Sequence, residues 1–273
     1  KYLIGLILLI KEILRCKSAT VFSFQANIYC IIICKLFSTK VICRSNSAPI
    51  GWSKNPIKRK VFRYLLNKAD KIMVNSSNFK SDLKKEFNVN AKCIYNPLNK
   101  NEILKKSKEK INIPIYRNKK NLKIINIGRF TDQKDHQTLL RSFKKLNQNI
   151  GCELLLIGYG ANKAIIQKFI IENKLKNKVK ILGYQVNPYK FIKKSDILVL
   201  TSKYEGLPNV LLEALALKKL VISTNCPTGP NEILKKGKYG FLFKVQNYNE
   251  LTKIILKNSN NKKKYRNKIL SGY

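Results

Sequence analysis

From Asn121 onward the sequence repeats one pattern, a short apolar run followed by a longer amphipathic one. LKIINIG, CELLLIG, VKILG, DILVLT and KLVIST are predominantly apolar, with too few polar positions for a strand that has one face in water. DHQTLLRSFKKL, ANKAIIQKFIIENK, NPYKFIKK, PNVLLEALAL and PNEILKK lie between or after them, with apolar residues at helical spacing. Buried strands alternating with amphipathic helices require a parallel sheet covered on both faces. This half therefore predicts a doubly wound α/β domain.

The first half carries a shorter version of the same order. A helix through Leu14, a strand at 19–24, a helix at 27–37 and a strand at 40–43 come first. VFRYLLNKA then reads as a helix, KIMVNS as a strand, FKSDLKKEF as a helix and KCIYN as a strand. The intervening NPLNKNEILKKSKEKINIPIYRNKKN is polar and basic with two prolines, which is linker chemistry. The expected division is a partial N-terminal Rossmann-like domain at 1–118 and a C-terminal one at 119–273. A repeated architecture predicts a cleft between the halves.

Charge and cysteine content narrow the function classes. The 55 Lys and Arg against 15 Asp and Glu give a net charge of +40, which raises nucleic acid, anionic lipid and polyphosphate as partners. Lysine is in excess from end to end, though, so solvated lysines on helix faces account for much of it. Seven cysteines without a CxxC pair, most of them in apolar runs, predict thiols used as small core residues in a reducing compartment. Only Cys30 and Cys34 have helical spacing for metal ligation, and no further His or Cys stands with them. The apolar run LIGLILLI is eight residues long, and a membrane-spanning helix needs roughly 20. No small-residue cleavage site follows it, so it does not read as a signal peptide either.

Three strand ends carry the chemistry, since ligands of open α/β sheets bind outside the carboxyl ends of the strands. In INIGRFTDQKD, Gly128 ends a strand and Arg129 and Lys134 set two cations around a helix mouth, a pairing suited to a diphosphate. In LIGYGANK, Gly158 and Gly160 follow a buried strand and permit close ligand approach. In SKYEGLPNVLLEAL, Glu205 leaves a strand, Gly206 permits an unusual backbone angle, and Leu207 and Pro208 lead into a helix that starts at Asn209 and Val210. Glu213 follows Asn209 by four residues on the same helix face, and its side chain leans back toward that mouth. One acid accepting from paired hydroxyls beside amide groups that hold phosphate suits a ribose with a diphosphate.

EGLPNVLLEA, with GRFTDQKD before it and STNCPTGPNEIL after it, resembles family 4 of the retaining glycosyltransferases, which have the two-domain GT-B fold. The resemblance covers nearly all of 121–257 and, more weakly, FSFQANIYCIIICKLFSTKVICRSN and KADKIMVNSSNFKSDLKKEF. It implies a nucleotide-sugar donor, UDP-linked by the look of STNCPTGPNEIL, held by the second domain, and an acceptor held mainly by the first. Arg129 and Lys134 would neutralise the departing diphosphate, Glu213 would bind ribose and Glu205 the sugar hydroxyls. Transfer would retain anomeric configuration and need neither cofactor nor metal.

Relatives carry a histidine in the first domain where this chain has Arg44, Ser45 and Asn46, so these three become acceptor-side candidates. The sole histidine, His136, is expected on the surface at a helix start. The first strand and glycine-rich loop that the resemblance implies would precede Lys1, and the chain stops at ILSGY, ahead of a helix that relatives fold back. The implied acceptor is a surface glycan of the lipopolysaccharide or capsule kind, or a polyprenyl-diphosphate-linked oligosaccharide. An anionic membrane surface is a further expected partner, for a cytoplasmic enzyme peripheral on the inner face of the plasma membrane. Specific nucleic acid is not expected. Two other readings stay open: a nucleotide-sugar epimerase of the same fold, and a basic nucleic-acid-binding protein without enzymatic activity.

Overall fold

A computed structural model of the chain describes residues 2–46, 55–114, 116–118 and 120–259. The chain divides into two compact units, Lys1–Asn96 and Pro97–Tyr273. The segment ILSGY lies outside the described residues.

The first unit runs α1 (Tyr2–Arg15), β1 (Thr20–Ser23), α2 (Asn27–Leu36), β2 (Lys40–Ser45), α3 (Pro56–Leu66), β3 (Lys71–Val74), α4 (Ser77–Phe87) and β4 (Ala91–Cys93). Its parallel sheet has the order β1-β2-β3-β4. Because strands follow one another in chain order, right-handed crossovers deliver each connecting helix to the same side. Hence α2, α3 and α4 form one layer with α1 beside α2. The core under that layer includes Ile31, Cys34, Val41, Cys43, Val74 and Phe79. Along β2, Val41, Cys43 and Ser45 are buried while Ile42 and Arg44 are half-buried. That alternation explains why the strands here are less apolar than those of the second half. α3 begins at Pro56, five residues before the expected start, since Asn55 Oδ1 accepts from the amides of Ile57 and Lys58 at 2.9 and 3.1 Å.

The second unit opens with α5 (Lys100–Lys106) and continues β5 (Leu122–Ile127), α6 (His136–Asn149), β6 (Cys152–Ile157), α7 (Lys163–Glu172) and β7 (Val179–Leu182). Then come α8 (Tyr189–Lys194), β8 (Ile197–Leu200), α9 (Asn209–Ala216), β9 (Leu220–Thr224), α10 (Pro230–Ile233), β10 (Phe241–Phe243) and α11 (Tyr248–Ser259). The six strands are parallel in the order β10-β9-β8-β5-β6-β7. Strand order reverses at β5, so crossovers lead to opposite faces on its two sides. α6, α7 and α11 cover one face through Ile124, Leu139, Leu154 and Ile255; α5, α8, α9 and α10 cover the other through Ile125, Leu155, Leu198 and Leu211. Burial on both faces is what the predominantly apolar runs anticipate. β10 and α11 add to the expected elements.

The division between units falls after Asn96, ahead of the boundary expected near residue 118. Ile103 is buried in the second unit's core with Leu104 and Tyr116 packed beside it, and the Tyr116 hydroxyl meets Ser195 Oγ at 2.6 Å. The lysines around these anchors give the stretch its linker-like composition. All seven cysteines are free thiols: Cys34, Cys43, Cys152 and Cys226 are buried, Cys30 and Cys93 half-buried and Cys16 exposed. No described helix is long and apolar enough to cross a membrane.

Candidate active site

β5 and β8 flank the point where strand order reverses, and the loops that leave β5, β6 and β8 gather there. Two of these loops are laced together by backbone. Phe130 N donates to Tyr159 O at 2.7 Å and Asn162 N to Phe130 O at 3.0 Å. A Cβ on Gly158 would lie 1.9 Å from Gly128 O, and one on Gly160 would lie 2.4 Å from Phe130 O. Both glycines are thus required by loop-on-loop packing before any ligand is considered.

A cavity of about 430 Å³ opens over this floor. It brings together Gly128, Arg129, Gly158, Val210 and Glu213, which the sequence places on three separate loops and helices. Arg129 is exposed and has no carboxylate partner among the described residues. Glu213 is half-buried, its carboxylate accepts no hydrogen bond among the described residues, and burial pushes its carboxyl up to about 7. Such a carboxylate gains strongly from hydroxyl donors. α9 starts beside it without a side-chain cap, Pro208 being the residue at that position. Its N-terminal amides are the end that attracts anions.

The remaining wall comes from Tyr184, Gln185 and Val186 in the loop after β7 and from Tyr189 at the start of α8, which sequence reasoning missed. Tyr184 is 70% exposed, and its ring stands edge-on to Tyr159 at 6.2 Å between centroids. Two exposed aromatics at a cavity rim offer faces for a planar ring. Aromatic residues in the loop GYQVNPY are the signal that could have found this wall.

Glu205 and Lys134, expected to act separately on sugar and diphosphate, form an ion pair. Lys134 Nζ lies 2.5 Å from Glu205 Oε1, and both side chains are largely buried. Ser202 Oγ donates to the same oxygen at 2.5 Å, leaving Oε2 without a partner among the described residues. The Thr228 hydroxyl donates to the Glu205 backbone carbonyl, fixing the turn from the other side. Ser202 and Thr228 are therefore site residues that sequence reasoning missed: Ser202 stands three residues before Glu205, a spacing that could have found it, whereas only the fold brings position 228 to position 205.

Several expectations need correction. Gly206 does not take a left-handed angle; Gly229 does, at φ 73°, and its Cβ would meet Gly206 O at 2.3 Å. Leu207 and Pro208 are buried, Leu207 in the core under α9, so its side chain has no access to a donor. Asn209 is exposed at the helix start. His136 is buried rather than on the surface: it is 3% exposed, stands edge-on to Phe130 at 5.0 Å, and neither ring nitrogen has a partner among the described residues. Burial, with Lys134 nearby, lowers its pKa to about 4, so the ring is neutral.

The acceptor-side candidates lie in the first unit. Arg44 is engaged by Asn96 Oδ1 at 2.8 Å, by Ile94 O at 3.3 Å and by Asn46 Oδ1 at 3.3 Å. Ser45 is buried, and its hydroxyl accepts from Asn27 at 3.1 Å. Arg44 and Ser45 thus brace the strand ends of their own sheet. Among the described residues no group of three or more His, Cys, Asp or Glu side chains could hold a metal ion.

Two parallel Rossmann-like sheets, one with this cavity at its switch point, are the GT-B architecture. Structural similarity agrees: the UDP complex of HepE from Anabaena matches with a TM-score of 0.79 at 17% identity, covering 98% of this chain and 75% of that one. The chain belongs to the family described as glycosyl transferases group 1, whose model matches residues 107–271. An uncharacterised glycosyltransferase of Methanocaldococcus jannaschii is 35% identical over 78% of this chain and 59% of its own length. The N-acetylgalactosamine-N,N'-diacetylbacillosaminyl-diphospho-undecaprenol 4-alpha-N-acetylgalactosaminyltransferase of Campylobacter jejuni is 29% identical over 88% of this chain and 67% of its own length. The chain thus spans about three fifths to two thirds of these curated relatives.

Proposed function

We propose that this chain binds a UDP-sugar and transfers its hexose or N-acetylhexosamine, with retained configuration, to a lipid-linked or surface-glycan acceptor. The observation that carries the reading is the cavity that sets the unpaired Glu213 carboxylate, the unpaired Arg129 cation and the α9 N-terminus around one volume. Glu213 accepts from the ribose hydroxyls, and a ring of the Tyr159 and Tyr184 pair stacks on the base. Arg129, Lys134 and the first amides of α9 receive the negative charge that grows on the diphosphate as the bond from the anomeric carbon to its oxygen breaks. Preorganised groups that stabilise developing charge often supply more of the rate enhancement in such catalysis than any other effect. Glu205 turns its free Oε2 to the sugar hydroxyls, and the acceptor oxygen attacks from the face the diphosphate leaves, giving its proton to a phosphate oxygen. Cationic side chains supply the countercharge that a divalent ion gives elsewhere, so a cofactor or metal is not required. UDP is also the ligand of the Anabaena neighbour, and a diphospho-undecaprenol acceptor appears in the name of the Campylobacter relative.

The test is a panel of nucleotide sugars with membrane extract as acceptor, run in the presence and absence of EDTA. Transfer from a UDP-sugar that survives EDTA is expected. Sugar conversion without any acceptor, or tight DNA binding without UDP binding, would replace this reading with the epimerase or the nucleic-acid alternative.

A further inference from the structure

The outer side of α3 carries two features that folding does not use. Inward, Leu66 is buried and Arg59 pairs with Glu86 at 2.7 Å while lying over the Phe87 ring. On the opposite side, at spacings of four and three residues, stand Ile57, Val61 and Tyr64, which are 71%, 48% and 65% exposed. Lys58 flanks this ridge on one side and Lys60 and Arg63 on the other; all three are exposed and none has an acidic partner among the described residues. At the C-terminal end of the helix, Lys60, Arg63, Tyr64, Asn67, Lys68 and Asn88 line a depression of about 450 Å³ without a carboxylate.

We propose that this face of α3 docks the protein on an anionic bilayer, with the ridge among the acyl chains and lipid phosphates in the depression. A soluble polyanion would use the cations but gain nothing from Ile57 and Val61. A nucleic acid would call for aromatic stacking along the ridge, where two of the three residues are aliphatic. A bilayer bearing anionic lipid uses both features, as helices that lie in the interface do, with tyrosine at the boundary between tails and headgroups. Eleven residues of helix extend about 16 Å, enough to lie along a membrane and too short to cross it. The inference is independent of the donor reading, because α3 belongs to the first unit and the cavity of Glu213 to the second.

Vesicle sedimentation of the full chain tests it, using phosphatidylcholine vesicles with and without phosphatidylglycerol. Neutralising Lys60, Arg63 and Lys68 to Gln should weaken binding to the anionic vesicles on the order of 100-fold, from about 1 kcal/mol per cation at the surface. Neutralising Lys144, Lys176 and Lys253, three exposed cations of the second unit, removes the same charge and should cost under about 5-fold if the contact is local. Ile57→Ser with Val61→Ser, which leaves every charge in place, should cost on the order of 10-fold. UDP titration and circular dichroism of each variant should match the parent, which separates loss of docking from loss of fold or of donor binding. Equal losses from the two charge sets would overturn the proposal in favour of diffuse attraction by the +40 net charge. Undiminished binding of the serine variant, with displacement by free tripolyphosphate, would overturn it in favour of a soluble phosphate ligand.

Discussion

Replacing Glu213 with glutamine removes a charge that the fold leaves half-buried without a partner among the described residues, and should trade binding for stability. Burial moves this carboxyl from its ordinary value of 4.5 to about 7, which corresponds to at most about 3 kcal/mol, less whatever residual water contact screens. The native state holds the proton more tightly than the unfolded chain does. Its stabilising contribution is therefore full below about pH 4.5 and is lost as pH rises through about 7. Glutamine has the same shape and no titration, so the variant escapes that loss. Urea unfolding followed by circular dichroism between pH 4.5 and 8.5 should show the two proteins converging at the acid end, with the variant up to about 3 kcal/mol more stable at the alkaline end. UDP titration calorimetry at pH 8 should show the opposite, a loss of about 10- to 100-fold for hydrogen bonds to a charged acceptor. A stability difference that does not change with pH, or UDP affinity that survives the substitution, would refute the reasoning.

Lys134→Met leaves Glu205 buried without its cation and should cost about 3–5 kcal/mol, most of it recovered in the double variant with Glu205→Gln. A urea double-mutant cycle measures this, and transfer should be lost in all three proteins. Gly158→Ala drives a methyl group into the Gly128 carbonyl and should destabilise by about 1–3 kcal/mol while parting the two loops. Calorimetry should then find UDP binding weakened more than tenfold; unchanged affinity would count against these loops as the floor of the donor cavity. His136→Leu removes a neutral buried ring whose pKa has fallen to about 4. The parent should lose stability as pH drops from 6.5 toward 4, where the unfolded chain takes a proton that the native one refuses, and the variant should not. Thermal unfolding at pH 7 and pH 5 checks this, equal pH responses counting against it.

The alternation of strands and helices was legible because period and polarity are local properties of a chain. The runs around Ile124, Leu155 and Leu198 are predominantly apolar, the composition that burial on both faces of a parallel sheet favours. The start of α9 and the place of Glu213 one turn into it were legible for the same reason, since four residues of helix fix their spacing. Hidden from a local reading were the anchors Ile103, Leu104 and Tyr116, three contacts scattered through a lysine-rich segment. So too was the side of the sheet on which the first unit lays its helices, which follows from strand order.

By itself the sequence determined a two-part parallel α/β protein with a cation pair and two acids at strand ends, because backbone periodicity and residue chemistry suffice for that. Only the tertiary structure decided that Lys134 and Glu205 hold each other, that Gly158 is demanded by a carbonyl which a Cβ there would meet at 1.9 Å, and that His136 is buried. Each depends on which distant segments the sheet order makes neighbours, as Thr228 comes to the Glu205 carbonyl across 23 residues of chain. Contacts between segments 3 residues apart and 23 residues apart look alike in the folded chain, but only the first kind leaves a periodic trace in the sequence.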